Sequence, residues 1–157
     1  MIVDKPSGWT SQDVVSKLRG VFKTRRIGHG GTLDPMATGV LPVFVGRATR
    51  GVEFFEHAEK TYEAVLRLGI TTTTEDITGT VLTESPVAVT EAALETALEA
   101  FRGDIFQIPP MYSAVKVGGK RLYQYARQGQ TVERAARKVW IHELEITSIE
   151  LPLVTMR

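Results

Sequence analysis

Residues 28–42 read GHGGTLDPMATGVLP. Four glycines, Gly28, Gly30, Gly31 and Gly39, surround a single carboxylate, Asp34, with Pro35 directly behind it. Glycine is used where the backbone must take a positive φ or let another group come close, while proline fixes its own φ and pushes the residue before it toward an extended conformation. The spacing therefore predicts a carboxylate held on a stiff loop rich in accessible backbone. By composition alone the same stretch is a surface turn, since Gly, Asp and Pro are the ordinary residues of turns.

Taken as a string, GHGGTLDPMATGVLP resembles the signature loop of the bacterial-type tRNA pseudouridine synthase B family, enzymes that make pseudouridine in the TΨC arm of tRNA. The likeness runs on through DKPSGWTS at 4–11, KTYEAVLRLG at 60–69, TEDITG at 74–79 and FRGDIFQIPPMYSAVKVGGKRLYQYARQG at 101–129, in the family's order. It implies that Asp34 is the catalytic residue and Tyr62 the active-site tyrosine. It further implies that Lys5-Pro6 supports the active-site loop, that His29 contacts substrate, and that the stretch 105–135 grips the tRNA arm. Gln12 departs from the pattern, because relatives commonly have histidine there.

Composition sets the outer bounds. A chain of 157 residues, 43% hydrophobic and 24% charged, predicts one globular domain, residues 1–157, large enough to bury a core. No apolar run reaches membrane-spanning length and the N-terminus lacks signal-peptide order. With no cysteine there is no disulfide, thiolate metal site or Cys nucleophile, and a cytoplasmic setting is expected. A net charge of +1 does not mark a nucleic-acid binder, so any RNA contact must come from local patches. The candidates are the stretch Lys23, Thr24, Arg25 and Arg26 before the glycine loop, and Lys116, Lys120, Arg121, Arg127, Arg134, Arg137 and Lys138 farther on. Each patch taken alone reads equally as a solvated face.

The periodicities predict α+β: a mixed, largely antiparallel sheet flanked by helices. A strand at 1–6 enters a turn at Pro6, Ser7 and Gly8. Thr10 or Ser11 caps a helix with Val14, Val15, Leu18 and Phe22 on its apolar face, and Gly20 weakens its end. Residues 40–45 form a strand edge broken by Pro42, and 49–57 carry a short helical pattern. Residues 60–69 alternate as a strand with Tyr62, Ala64, Leu66 and Leu68 facing the core. A polar turn at 71–76 leads into a strand at 77–81. Residues 90–103 predict a helix with Thr90 as cap and a stripe of Leu94, Ala97, Leu98 and Phe101. Residues 105–130, with Pro109-Pro110 and Gly118-Gly119, read as a long excursion from the sheet around a helical piece at 122–127. Strand pattern returns at 139–149, and 151–157 begins another apolar segment.

Making pseudouridine breaks the N–C glycosidic bond of a uridine, turns the uracil while it stays bound, and rejoins it through C5. This needs no redox chemistry, group donor, metal or cofactor. It does need one carboxylate near sugar or base, a pocket for free uracil, and a way to extrude the base from folded RNA. Asp34 would be the nucleophile, adding to the base or to the ribose, or would instead drive glycal formation by taking a sugar proton. Tyr62 offers a flat face for stacking and a phenol that relays a proton; from the residues alone a strand tyrosine is more often a core residue, and it is the resemblance that favours the active-site role. The substrate-binding candidates are His29, Gly30, Gly31, Thr32, Lys5, Arg25, Arg26, Lys116, Lys120 and Arg121. The expected partner is tRNA through its TΨC stem-loop, without membrane or obligate protein partner.

In the family a Gly-Thr-Tyr-Ile-Arg motif, whose arginine pairs with the catalytic aspartate, and a small C-terminal RNA-binding domain follow, and neither lies within these residues. A chain ending at Arg157 is thus expected to lack turnover and to present Leu151, Leu153, Val154 and Met156 as an unpaired, association-prone strand edge. The alternative function is a non-catalytic tRNA-binding or RNA-folding module. A carboxylate hydrolase is disfavoured because the other acids considered, Asp76 and Asp104, sit in turn-like contexts.

Overall fold

The computed structural model describes residues 1–55 and 58–157, so His57 of the helical pattern at 49–57 lies outside the described residues. The chain divides into two compact units, Met1–Lys60 and Thr61–Arg157. Both are built from short antiparallel sheets and few helices, which is the α+β class that the periodicities predict.

In the first unit, β1 (Ile2–Lys5), β3 (Gly39–Val45) and β2 (Ile27–His29) form a sheet in the order β1-β3-β2. The strand containing Pro42 is therefore central, not an edge. β3 changes partner at the proline, pairing β1 along Gly39 to Pro42 and β2 along Val43 to Val45. A residue without an N–H is tolerated at such a handover because the ladder on either side can close without it.

Helix α1 (Ser11–Phe22) crosses from β1 to β2 and begins at a capping box. The Asp13 N–H donates to Thr10 Oγ1 at 3.0 Å, and the Thr10 N–H donates to the Asp13 carboxylate at 2.8 Å. The helix runs through Gly20 and stops at Lys23, whose left-handed φ of 49° lets its N–H close on Arg19 O. Val14 and Val15 are buried with Ile27, Leu41 and Val43, and Val3, Leu18, Leu33 and Val45 pack against them. Phe22, predicted on the apolar face, is exposed because it lies in the last turn, beyond the sheet. A 3-10 helix, Gly46–Phe55, completes the unit.

The hydrogen bonds from the Thr10 hydroxyl and then its backbone N–H hold the Asp13 carboxyl below its ordinary value of 3.8. A depressed folded pKa gives stability that is complete above the unfolded value and lost as pH falls through the folded one. Thr10→Ala is therefore expected to destabilise the chain at neutral pH by an amount that shrinks toward the contribution of the neutral cap bond as pH drops below 3.8. Urea titrations at a series of pH values check this, and a pH-independent difference would assign the loss to the neutral cap alone.

The second unit opens with β4 (Ala64–Arg67), followed by the hairpin of β5 (Ile70–Thr72) and β6 (Val81–Glu84). The strand expected at 77–81 starts only at Val81, because Asp76 organises the turn. Its carboxylate accepts from the Thr74 and Thr78 hydroxyls and from the Thr78 N–H at 2.6–2.8 Å. Helix α2 (Glu91–Glu99) has Thr90 as its N-cap, as predicted, but ends before Phe101, which is exposed. Gly103, with φ of 76°, instead opens β7 (Gly103–Gln107). Asp104 is thus a strand residue, paired with Lys138 at 3.0 Å.

The predicted excursion has its own architecture. β8 (Lys116–Val117) and β9 (Lys120–Arg121) form a tight hairpin over Gly118 and Gly119, both at positive φ (59° and 82°), as a type I′ turn requires. Helix α3 (Leu122–Ala126) follows, and its Leu122 is fully buried. The segment read as one strand at 139–149 is two, β10 (Arg137–Ile141), which pairs β7, and β11 (Ile146–Glu150).

The final strand, β12 (Leu153–Met156), corrects an expectation: it is the middle of the sheet β11-β12-β4, paired on both sides, with Val154 buried. The apolar run is therefore no open edge.

Candidate functional site

The GHGG segment leaves the sheet at β2. Gly30 donates its N–H to Pro42 O at 2.8 Å and lies against the edge-on pair of Phe44 and Phe55. A Cβ there would sit 2.9 Å from Phe44 Cε2, so this position excludes a side chain by packing. Gly31 has open space around it. The His29 Nδ1 atom is buried without a hydrogen-bond partner among the described residues.

Both neighbours of Asp34 are tied down. On one side, the Leu33 N–H donates to Ser11 Oγ at 2.9 Å, the Ser11 hydroxyl reaches back to Leu33 O at 3.4 Å, and the Leu33 side chain packs on the core. On the other, Pro35 O accepts from the Gly8 N–H at 2.8 Å and from Lys5 Nζ at 3.2 Å. Asp34 O closes a turn by accepting from the Ala37 N–H at 3.0 Å. Between these anchors the Asp34 carboxylate is exposed and makes no hydrogen bond or ion pair to any described residue. A neutral hydrogen bond contributes about 0.5–1.5 kcal/mol net, so several converging on two adjacent residues suffice to fix the backbone of a short loop.

Lys5 is the unusual member. It is fully buried, and its ammonium donates to Pro6 O at 2.9 Å and Trp9 O at 2.6 Å as well as to Pro35 O. These use all three of its donors and leave the charge compensated by carbonyl dipoles alone. Although counted above with the substrate contacts, Lys5 can act only through the loop it holds. Ser11, also buried, has only the signature of a helix cap in the sequence, because nothing local announces that its hydroxyl meets Leu33.

Arg25 and Arg26 are exposed, and their guanidinium groups meet no acidic partner among the described residues. Thr32 is exposed beside Asp34. In the second unit, Tyr62 precedes β4 instead of lying within it. It is 57% exposed, as are the residues on both faces of that strand, so the predicted core-facing alternation is not realised. Its phenol makes no hydrogen bond to a described residue. Arg121 and Lys116 are exposed on the β8–β9 hairpin, whereas Lys120 is engaged by the Gln128 side chain at 3.1 Å.

Residues 19–157 match the family model described as TruB family pseudouridylate synthase, N-terminal domain. The chain is 54% identical over 148 residues to tRNA pseudouridine synthase B of Lactococcus lactis subsp. cremoris strain MG1363, covering 93% of this chain and 45% of that protein. It is 50% identical over 161 residues to tRNA pseudouridine synthase B of Ralstonia nicotianae, covering 100% and 51%. The chain thus spans about half the length of the curated relatives it matches. Among solved structures it is similar to one in a Cbf5-Nop10-Gar1 complex, with a TM-score of 0.69, 30% identity, and coverage of 99% of this chain and 37% of the other. A structure of an H/ACA RNP bound to a substrate RNA containing 2'-deoxyuridine matches with a TM-score of 0.66 at 26% identity, covering 99% and 36%.

Proposed function

The chain belongs to the TruB family of pseudouridylate synthases, and we propose from this that it carries the catalytic part of an enzyme that isomerises uridine to pseudouridine in the TΨC loop of tRNA, at position 55. The observation that carries the reading is the Asp34 loop: backbone fixed on both sides of the aspartate, carboxylate exposed and unpartnered. A nucleophile must be held still and left free, and a loop that served only as a turn would not need its flanks tied to a buried Ser and a buried Lys.

In this mechanism the target uridine is extruded from the RNA loop and its base or ribose meets the Asp34 carboxylate. The N–C bond breaks, the uracil turns within the site, C5 bonds to the ribose carbon, the C5 proton leaves to restore the base, and N1, freed of the ribose, takes up a proton in its place. Atoms and electrons balance within the substrate, so no group donor or oxidant is consumed. Tyr62 stacks on the uracil and its phenol relays the C5 proton. His29, Gly30, Gly31 and Thr32 line the approach of the RNA, Arg25 and Arg26 meet its phosphates, and the 105–135 excursion grips the stem. The setting is the cytoplasm.

The test is a tritium-release or mass-spectrometric assay on a TΨC hairpin, using the full-length protein. Conversion of the single target uridine supports the reading, whereas tight binding with no conversion would leave the non-catalytic module. Tyr62→Phe is expected to keep the stacking face and lose the relay. RNA affinity should stay at the parent value while the reaction stalls after the uracil has been detached and turned. Weakened binding with an unchanged chemical step would return Tyr62 to a packing role.

A further inference from the structure

Between positions 105 and 138, seven Lys or Arg residues stand against one acid, Glu133. The structure sorts six of these cations into two groups of three, and the seventh, Arg121, is exposed on the hairpin. Lys120 is held by Gln128 and lies 4.9 Å over the Tyr125 ring, Arg127 lies 5.2 Å over the Tyr123 ring, and Lys138 is paired with Asp104. By contrast, Lys116, Arg134 and Arg137 border one cavity of about 300 Å³, where Pro109, Val115 and Leu122 supply apolar walls and no carboxylate is found among the described lining residues. Arg134 Nε is buried and has no acceptor among the described residues.

A desolvated guanidinium N–H without an acceptor is costly, and apolar walls strengthen its attraction for any anion that reaches it. A guanidinium fork flanked by further cations matches the tetrahedral oxygens of a phosphate. Lys116 and Arg137 are exposed, so the cavity opens to solvent and a phosphate can enter while still joined to neighbouring nucleotides. We infer that this cavity is a phosphate site that seats one backbone phosphate of the RNA, with Arg134 as its inner ligand and Lys116 and Arg137 at its mouth. The RNA assignment rests on the substrate reading above, while the phosphate chemistry rests on the cavity alone.

The experiment measures affinity of the full-length protein for a TΨC hairpin over a range of salt. Neutralising one phosphate contact lowers the slope of log affinity against log salt by about 0.7–0.9. Arg134→Gln and the exposed Lys116→Gln are each expected to approach that drop. Their combination should not exceed it, because both act on the same phosphate. Lys138→Gln, which removes a cation already paired outside the cavity, should leave the slope unchanged. A slope unmoved by the cavity variants, or moved as much by Lys138→Gln, would overturn the proposal.

A second arm follows the Arg134 Nε–H signal by NMR during titration with inorganic phosphate, then with the hairpin. A saturable shift that the hairpin reproduces and competes with supports the site as proposed. If phosphate binds but the hairpin does not compete, the RNA assignment is overturned and the cavity takes free phosphate. If phosphate leaves the signal unmoved, the cavity is no anion site, whatever becomes of the substrate reading.

Discussion

Asp34→Asn in the full-length protein is expected to reduce turnover of a TΨC hairpin by more than about a thousandfold while leaving RNA affinity within about a few-fold. The substitution is nearly isosteric, and because the parent carboxylate has no hydrogen bond or ion pair among the described residues, the loop loses no anchor. Leu33 stays on Ser11 and Pro35 on Lys5 and Gly8. Affinity depends chiefly on phosphate contacts, which an uncharged Asn does not weaken. Single-turnover conversion and a binding titration, run on the same preparation, separate the two quantities. Retention of a tenth of the parent activity would remove Asp34 from the role of nucleophile.

The second large effect is on Lys5→Met, which keeps most of the side-chain length and removes the ammonium. Three carbonyl oxygens, those of Pro6, Trp9 and Pro35, lose their donor together. Pro35 O retains the Gly8 N–H, so the burden falls mainly on the other two. A polar group left unsatisfied out of water costs about 1–3 kcal/mol, and although Pro6, Trp9 and Pro35 are exposed residues their carbonyls converge on the buried ammonium, so a destabilisation of roughly 2–4 kcal/mol is expected, partly offset by the lower desolvation of a neutral side chain. Turnover should fall as well, since one flank of Asp34 is loosened, whereas RNA affinity should change little because Lys5 is wholly buried. Urea denaturation supplies the stability. A loss below about 1 kcal/mol would mean that the three carbonyls find water, and that the buried ammonium is not what holds the loop.

These two residues also mark how far the sequence could be read. The start of α1 was legible because its capping box lies within four consecutive residues, and the Asp34 loop because glycine and proline constrain backbone wherever they stand. Lys5 was not, because a buried lysine makes sense only when the carbonyl of Pro35, thirty positions on, is brought to it. The same holds for β12: an apolar run predicts a strand, but its central place depends on β4, far back in the chain. For Tyr62, alternation predicted a face toward a core, yet β4 is exposed on both faces and begins two residues later. In the excursion and its flanks the residue types were plain, but which cations are engaged is decided by the fold: the hairpin and α3 bring Gln128, Tyr123 and Tyr125 to Lys120 and Arg127, and the β7–β10 pairing brings Asp104 to Lys138.

The central place of β12 bears on how the polypeptide acquires its structure during synthesis. The sheet of the first unit has all its strands once Val45 has been made. β4, at Ala64–Arg67, cannot pair until Leu153–Met156 exists. At ribosomal rates of about 5–20 residues per second the interval is on the order of ten seconds. Through it Val65 and Leu66 sit on a strand with free backbone donors and acceptors, the condition under which nascent chains mispair and chaperones bind. Closing so long a loop also places this pairing among the late steps of refolding, after the local hairpins β5–β6 and β8–β9 have formed.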